Sequence, residues 1–125
     1  MTKKGLTLLV NIKQVEPELL MSEEIIKLLL LRCIEAADMT PVKHTWQIAY
    51  FPAPIKKTLR GDYGLSAGII LVESHIYIHT WPEKNYARFE LSSCKEFDKD
   101  KVLKVIKTFF GVDIEIESQA VPWEG

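Results

Sequence analysis

The sequence has only two cysteines, Cys33 and Cys94, and no Cys-x-x-Cys pair, which speaks against a disulfide framework and a zinc site alike. It has no long apolar run either. No unbroken aliphatic stretch exceeds that of Leu28 to Leu31, which falls far short of a membrane span. Charge of one sign is also lacking: 16 Lys+Arg against 17 Asp+Glu leave a formal net charge of -1, so no basic field draws the chain to nucleic acid or to an anionic membrane. There is no Gly-x-x-x-x-Gly-Lys-Ser/Thr loop, no Gly-x-Gly-x-x-Gly and no Gly-x-Ser-x-Gly elbow, so the common nucleotide folds and the usual hydrolase nucleophile drop out. The basic start, Met1 to Lys4, leads into alternating residues without a small-residue cleavage site. The expectation is a cytoplasmic protein without a signal peptide. What is present is 125 residues, 47% hydrophobic and 26% charged, the composition of one globular domain over residues 1–125.

Periodicity sketches the elements. Leu6, Leu8, Val10 and Ile12 alternate in a first strand from Gly5 to Gln14, which Glu16-Pro17 breaks. Ser22, followed by Glu23 and Glu24, then caps a helix to about Ala37. That helix is apolar around much of its circumference, with Ile26, Leu30, Leu31 and Ile34 added to the stripe of Ile25, Leu28, Leu29, Cys33 and Ala36. One sheet cannot cover so wide a surface, and a second copy of the chain in a homodimer is the expected cover. Val42 to Phe51 reads as a strand, and residues 53 to 65, with Pro54, Gly61 and Gly64 beside Lys56, Lys57 and Arg60, as a long loop. Three strands are expected next, at Ala67–Glu73, His75–Thr80 and Tyr86–Cys94. Asp98 caps a second helix that Gly111 ends, and Val112, Ile114 and Ile116 alternate in a last strand before a Pro-Trp-Glu-Gly tail. The order β-α-β-β-β-β-α-β predicts an α+β fold, a two-layer sandwich with a mainly antiparallel sheet and two helices on one face.

His75 and His79 suggest a metal site, and strand geometry removes it: four residues along a strand are about 13 Å, too far for one zinc ion. No metal is expected.

The informative stretch is Glu73-Ser74-His75-Ile76-Tyr77-Ile78-His79-Thr80-Trp81-Pro82-Glu83, with Ser66 upstream and Cys94 fifteen residues beyond His79. It resembles the prokaryotic, pyruvoyl-dependent S-adenosylmethionine decarboxylase proenzymes, whose signature ESHxxIHTWPE is matched at every fixed letter and is followed by a cysteine at that distance. Gly64-Leu65-Ser66-Ala67 is the counterpart of the family's approach to the motif, and Gly5 to Ala37 of its opening strand and helix.

The resemblance implies self-cleavage between Glu73 and Ser74 into chains 1–73 and 74–125. The Ser74 hydroxyl attacks the Glu73 carbonyl to give an ester, loss of the Cα proton of residue 74 expels the upstream carboxylate, and hydrolysis with loss of ammonia leaves a pyruvoyl group. An unactivated serine needs positioning, a base and oxyanion stabilisation for this. By the resemblance His79 is the processing base, Ser66 assists the acyl shift, and Cys94 reprotonates the substrate carbon after CO₂ leaves. A thiol with an ordinary pKa of about 8.5 holds its proton at neutral pH and can still donate it. The pyruvoyl group replaces pyridoxal phosphate as the electron sink.

The substrate implied is S-adenosylmethionine, for polyamine synthesis, with Trp81 and Glu83 as candidate contacts and Phe51, Tyr50 or Tyr63 as the aromatic that stacks on adenine. Lys95 stands where the bacterial form usually has glycine, and Ser92-Ser93 where it has Phe-Thr. Two other readings therefore stay open: a pyruvoyl-dependent arginine or ornithine decarboxylase of the same fold, and an unprocessed relative that binds S-adenosylmethionine without catalysis. Read without the motif, Ser74 is a turn former, His79 a hydrogen-bonded histidine and Cys94 a small hydrophobe.

Overall fold

The computed structural model describes residues 4–51 and 64–124. The loop expected at 53 to 65 lies outside them except for its last two positions, and Tyr63 lies outside with it. In chain order the elements are β1 (Lys4–Lys13), α1 (Pro17–Met21), α2 (Glu23–Ala36), β2 (Gln47–Phe51), β3 (Gly64–Leu71), β4 (Ser74–Trp81), β5 (Tyr86–Ser93), α3 (Lys99–Phe110) and β6 (Glu115–Glu124). A 3₁₀ turn, Pro82–Lys84, joins β4 to β5.

The six strands form one sheet in the order β2-β3-β4-β5-β1-β6, with every neighbouring pair antiparallel. Alternation decides which side chains are buried. Leu8, Val10 and Ile12 of β1, Leu65, Ala67 and Ile69 of β3, Ile76 and Ile78 of β4, and Phe89 and Leu91 of β5 are all at most 2% exposed and face the helices. Burying a side chain the size of Phe89 contributes roughly 1.5–3 kcal/mol, and this layer is where the fold's stability is concentrated. The opposite face carries Ser66, His75, Tyr77, His79, Trp81 and Arg88, and no helix among the described residues covers it.

The expected α+β sandwich is what the chain forms, with local differences. Ser22 caps α2 by accepting from the Ile25 N–H at 3.2 Å, and Asp98 caps α3 by accepting from Asp100 and Lys101 at 3.1 and 3.2 Å. Gly111 ends α3 at φ 108°, where a side chain would be strained. Pro17, expected as a breaker, opens the short helix α1, because proline fits the first helical turn, where its missing N–H has no partner to lose. The expected tail is strand: β6 runs to Glu124 and pairs Pro122 with Leu6, which an edge strand tolerates because its outer side needs no donor. The wide apolar surface of α2 has its cover within the chain. Ile26, Leu29, Leu30, Cys33 and Ile34 are buried against the sheet, α1 and α3, and Leu28 is left 40% exposed.

Candidate active site

The β3–β4 hairpin closes on a two-residue turn, Val72-Glu73, since Leu71 pairs with Ser74. Neither turn residue has a positive φ, so this is not one of the primed turns that usually close such hairpins. The turn is held from outside instead. Val72 N–H donates to the Thr40 carbonyl at 2.8 Å, Val42 N–H to the Ile70 carbonyl at 2.9 Å, and the Glu73 carboxylate accepts from Thr40 N–H at 2.9 Å. On the other side Ser74 pairs with Ser93 of β5, which places Cys94 beside the turn. There the Cys94 backbone N–H donates to the Glu73 carbonyl oxygen at 2.9 Å. The carbonyl of the Glu73–Ser74 bond is thus polarised by a fixed donor, and the chain reaches Ser74 and Cys94 at the same end of the sheet.

Ser74 is half-buried and its Oγ lies 3.3 Å from His75 Nδ1. The far nitrogen of that ring, Nε2, meets Glu90 Oε2 at 2.7 Å. The Tyr77 ring stands beside His75 at 5.6 Å between centroids.

The other end of the same strand pair holds a second serine–histidine contact. Ser66 and His79 are register partners, with Ser66 Oγ and His79 Nδ1 2.7 Å apart. Burial and the neighbouring Arg88 guanidinium lower the pKa of His79 from its ordinary value, against a smaller opposing pull from Glu90. Trp81 follows on the same face, its ring 6.4 Å from His79 and 5.3 Å from Tyr86.

The sequence-predicted residues therefore form two groups within one chain. Glu73, Ser74 and Cys94 meet at the hairpin turn. Ser66, His79 and Trp81 meet five strand positions away, about 16 Å along β4. Glu83 sits in the exposed 3₁₀ turn beyond Trp81. Of the aromatic candidates, Tyr50 donates its hydroxyl to Glu23 on α2 and so belongs to the helix side. Phe51 shares the open face with Ser66, because Ala49 pairs with Ser66 and side chains alternate. Cys33 is fully buried on α2, and burial pushes its thiol far above the ordinary value, which marks it as a packing residue. Among the described residues no group of three His, Cys, Asp or Glu side chains is placed to hold a metal ion, and no helix is long and apolar enough to cross a membrane.

Reading the sequence missed Glu90, Thr40 and the contact of His75 with Ser74. Glu90 had a signal: it is fifteen residues beyond His75, a separation that a tight β4–β5 connection turns into a diagonal pair on one face. Thr40 had none, because its contact depends on where an irregular segment returns to the sheet.

Comparison with known proteins bears on the family and the fold. The family profile described as S-adenosylmethionine decarboxylase matches residues 6–120. An S-adenosylmethionine decarboxylase proenzyme of Thermodesulfovibrio yellowstonii is 29% identical over 98 residues, 78% of this chain and 64% of that protein. One from Hydrogenobaculum is 31% identical over 96 residues, 76% of this chain and 63% of that protein. These matches thus span less than two thirds of either relative, whereas a proenzyme of Archaeoglobus fulgidus is 26% identical over 84% of this chain and 82% of its own length. The crystal structure of the adenosylmethionine decarboxylase from Aquifex aeolicus shares the fold, with a TM-score of 0.76 at 24% identity, covering 97% of this chain and 91% of that one. The match across almost the whole chain, the shared fold and the intact hairpin motif give one conclusion: the chain belongs to the S-adenosylmethionine decarboxylase family.

Proposed function

We propose that this protein is a pyruvoyl-dependent S-adenosylmethionine decarboxylase that makes its own prosthetic group by cutting itself between Glu73 and Ser74. The observation that carries the reading is the hydrogen bond from Cys94 N–H to the Glu73 carbonyl, which brings the bond to be cut, its nucleophile and the expected proton donor to one place. Ser74 is the nucleophile. The backbone donor from Cys94 favours charge developing on the Glu73 oxygen as Ser74 Oγ adds.

The residues fit a pyruvoyl group formed from Ser74. The bond joins the turn to the first residue of β4, at the very end of the ladder, so after cutting both strands stay in the sheet through β2 and β5. Bound in this way, the group supplies a ketone for the substrate amine and a conjugated carbonyl that takes up the electrons released with CO₂. Cys94 Sγ holds the proton destined for the substrate carbon.

His79 and Ser66 complete the site from a second copy of the chain. Within one chain they are about 16 Å from Ser74, beyond the reach of any side chain, yet they lie on the uncovered face of the sheet where a twofold partner can bring them to Ser74. The homodimer thus rests on the split site and not on α2. In it His79 takes the Cα proton of residue 74 during elimination, and Ser66, bonded to His79, orients the ring. Trp81 and Phe51, on the same side of the sheet, and Glu83, in the 3₁₀ turn after Trp81, are the substrate contacts.

Intact mass of the purified protein, followed by CO₂ release from carboxyl-labelled S-adenosylmethionine, arginine and ornithine, tests this reading. Two chains of 73 and 52 residues and release from S-adenosylmethionine are expected, the second count being 125 minus 73. An uncut chain overturns the pyruvoyl mechanism, and release from arginine or ornithine alone overturns the substrate.

A further inference from the structure

We propose that His75, held by Glu90, is the base of the first processing step, the shift of the Glu73 acyl group from nitrogen to Ser74 Oγ. The proposal rests on the self-cleavage read above and assigns a residue to a step that His79 cannot reach within its own chain. Three atoms lie in line with what the step needs: Ser74 Oγ, His75 Nδ1 at 3.3 Å, and Glu90 Oε2 at 2.7 Å from His75 Nε2.

Glu90 decides what His75 can do. An ionised carboxylate only accepts hydrogen bonds, so a neutral imidazole facing it must carry its proton on Nε2, which leaves the Nδ1 lone pair pointing at the Ser74 hydroxyl. A serine, a histidine and a carboxylate joined in that order form the arrangement by which hydrolases activate serine, and a contact slightly longer than an ideal hydrogen bond is usual before reaction. His75 and Glu90 are both only about one third exposed, so water competes weakly for these contacts.

Every atom in the step is accounted for. Ser74 Oγ bonds to the Glu73 carbonyl carbon as its proton passes to His75 Nδ1, and the carbonyl oxygen takes the charge beside Cys94 N–H. The carbon–nitrogen bond then breaks, and the same proton moves from Nδ1 to the departing Ser74 nitrogen, leaving an ester and a free amine with no other reactant. His75 is catalytic in this step because it touches the reacting hydroxyl, and Glu90 is a positioning residue that acts through it.

The test isolates the ester. In His79→Ala protein, where elimination lacks its base, the ester should accumulate, and neutral hydroxylamine should cut it into 1–73 and a 74–125 chain with a free amine. Adding His75→Ala or His75→Gln to that background should slow formation of the hydroxylamine-sensitive species about 10²–10⁴-fold, while the melting temperature of the His75→Gln protein stays near its parent's. Glu90→Gln should slow it less, and Glu90→Asp should recover part of that loss, a split that a merely structural carboxylate does not produce. Ester formation at the parental rate in the His75→Gln double variant overturns the proposal; should the alanine variant not fold, the glutamine variant decides. A wild-type chain that is never cut at Glu73–Ser74 overturns the underlying reading instead, so the two failures are distinguishable by mass alone.

Discussion

The two ends of the β3–β4 hairpin carry the same pair of residue types in different surroundings. At the turn, Ser74 meets a histidine whose other nitrogen is tied to a carboxylate; at the far end, Ser66 meets a histidine whose pKa burial and a guanidinium lower. The turn end also holds the polarised carbonyl, whereas the far end holds the aromatic row of His79, Trp81 and Tyr86. One strand pair thus presents a polarised carbonyl beside a serine and, about 16 Å off, a histidine of lowered pKa beside a row of aromatic rings. On the proposed roles neither end holds every residue that processing needs, and that division is the structural reason for expecting two copies to work together.

The largest expected effect separates the ends outright. Ser74→Ala should leave a single uncut chain with no decarboxylase activity, while Ser66→Ala, at the far end, should slow processing without moving the cut. Mass spectrometry decides, and a Ser74→Ala chain still cut at that bond breaks the comparison.

Much of this contrast was legible in the sequence, and the rest was hidden for identifiable reasons. The strand alternation around Leu8, Ile76 and Ile78 and the caps at Ser22 and Asp98 are local signals, and local signals survive into the fold. The motif located Ser74, His79 and Cys94 but not their separation, because distance along a strand becomes visible only once His79 is known to pair with Ser66 and Ser74 with Leu71. The wide apolar surface of α2 pointed to a second packing partner, but not to α3, which lies far downstream and which no periodicity within α2 announces. The strand identity of Val121 and Trp123 was obscured by Pro122, which the edge position of β6 makes harmless.

Complementation gives the next largest effect. His79→Ala and Cys94→Ala chains produced separately should differ: the first slowed in processing by roughly 10²–10⁴-fold, the second cut at least in part but without turnover. If the two ends meet across a dimer, co-producing Ser74→Ala with His79→Ala should restore cutting of the His79→Ala chain, because that chain keeps its own Ser74 and borrows His79 from its partner. Failure of restoration in a verified mixed dimer would mean that each chain processes itself.

Between the ends lies Gly68, which sets how closely they are held. A Cβ there would fall 2.0 Å from the Tyr77 ring, and that ring is tethered by its hydroxyl's 2.8 Å bond to Gln47. Replacing a strand glycine usually stabilises by relieving backbone entropy, but here the ring must leave its place. Gly68→Ala should therefore destabilise by about 1–3 kcal/mol, read as a lower urea midpoint with unchanged slope. A raised midpoint would show that the ring swings away freely and that the middle of the hairpin is not a spacer.

The smallest effect is one of pH, and it probes the far end alone. Burial first, then the Arg88 charge, lower the pKa of His79, with Glu90 pulling weakly the other way and Ser66 offering only a neutral hydroxyl. The unfolded chain's histidine titrates near 6.5, so between that value and the lower folded one the unfolded state binds more protons. Stability contributed by His79 is thus fully present above about pH 6.5 and is lost as the pH falls through the folded pKa. In the uncut Ser74→Ala protein, the His79 ring resonance should titrate with a midpoint below 6.5, and the melting temperature should fall on acidification through that range more steeply than in a Ser74→Ala/His79→Gln protein. Because the ring is only half-buried the difference should be small, but its sign is fixed. A midpoint at or above 6.5 would overturn the lowered pKa, and one well above 7 would mean that His79 is a cation at neutral pH, which would remove it as a base and leave the turn end as the place where processing must find one.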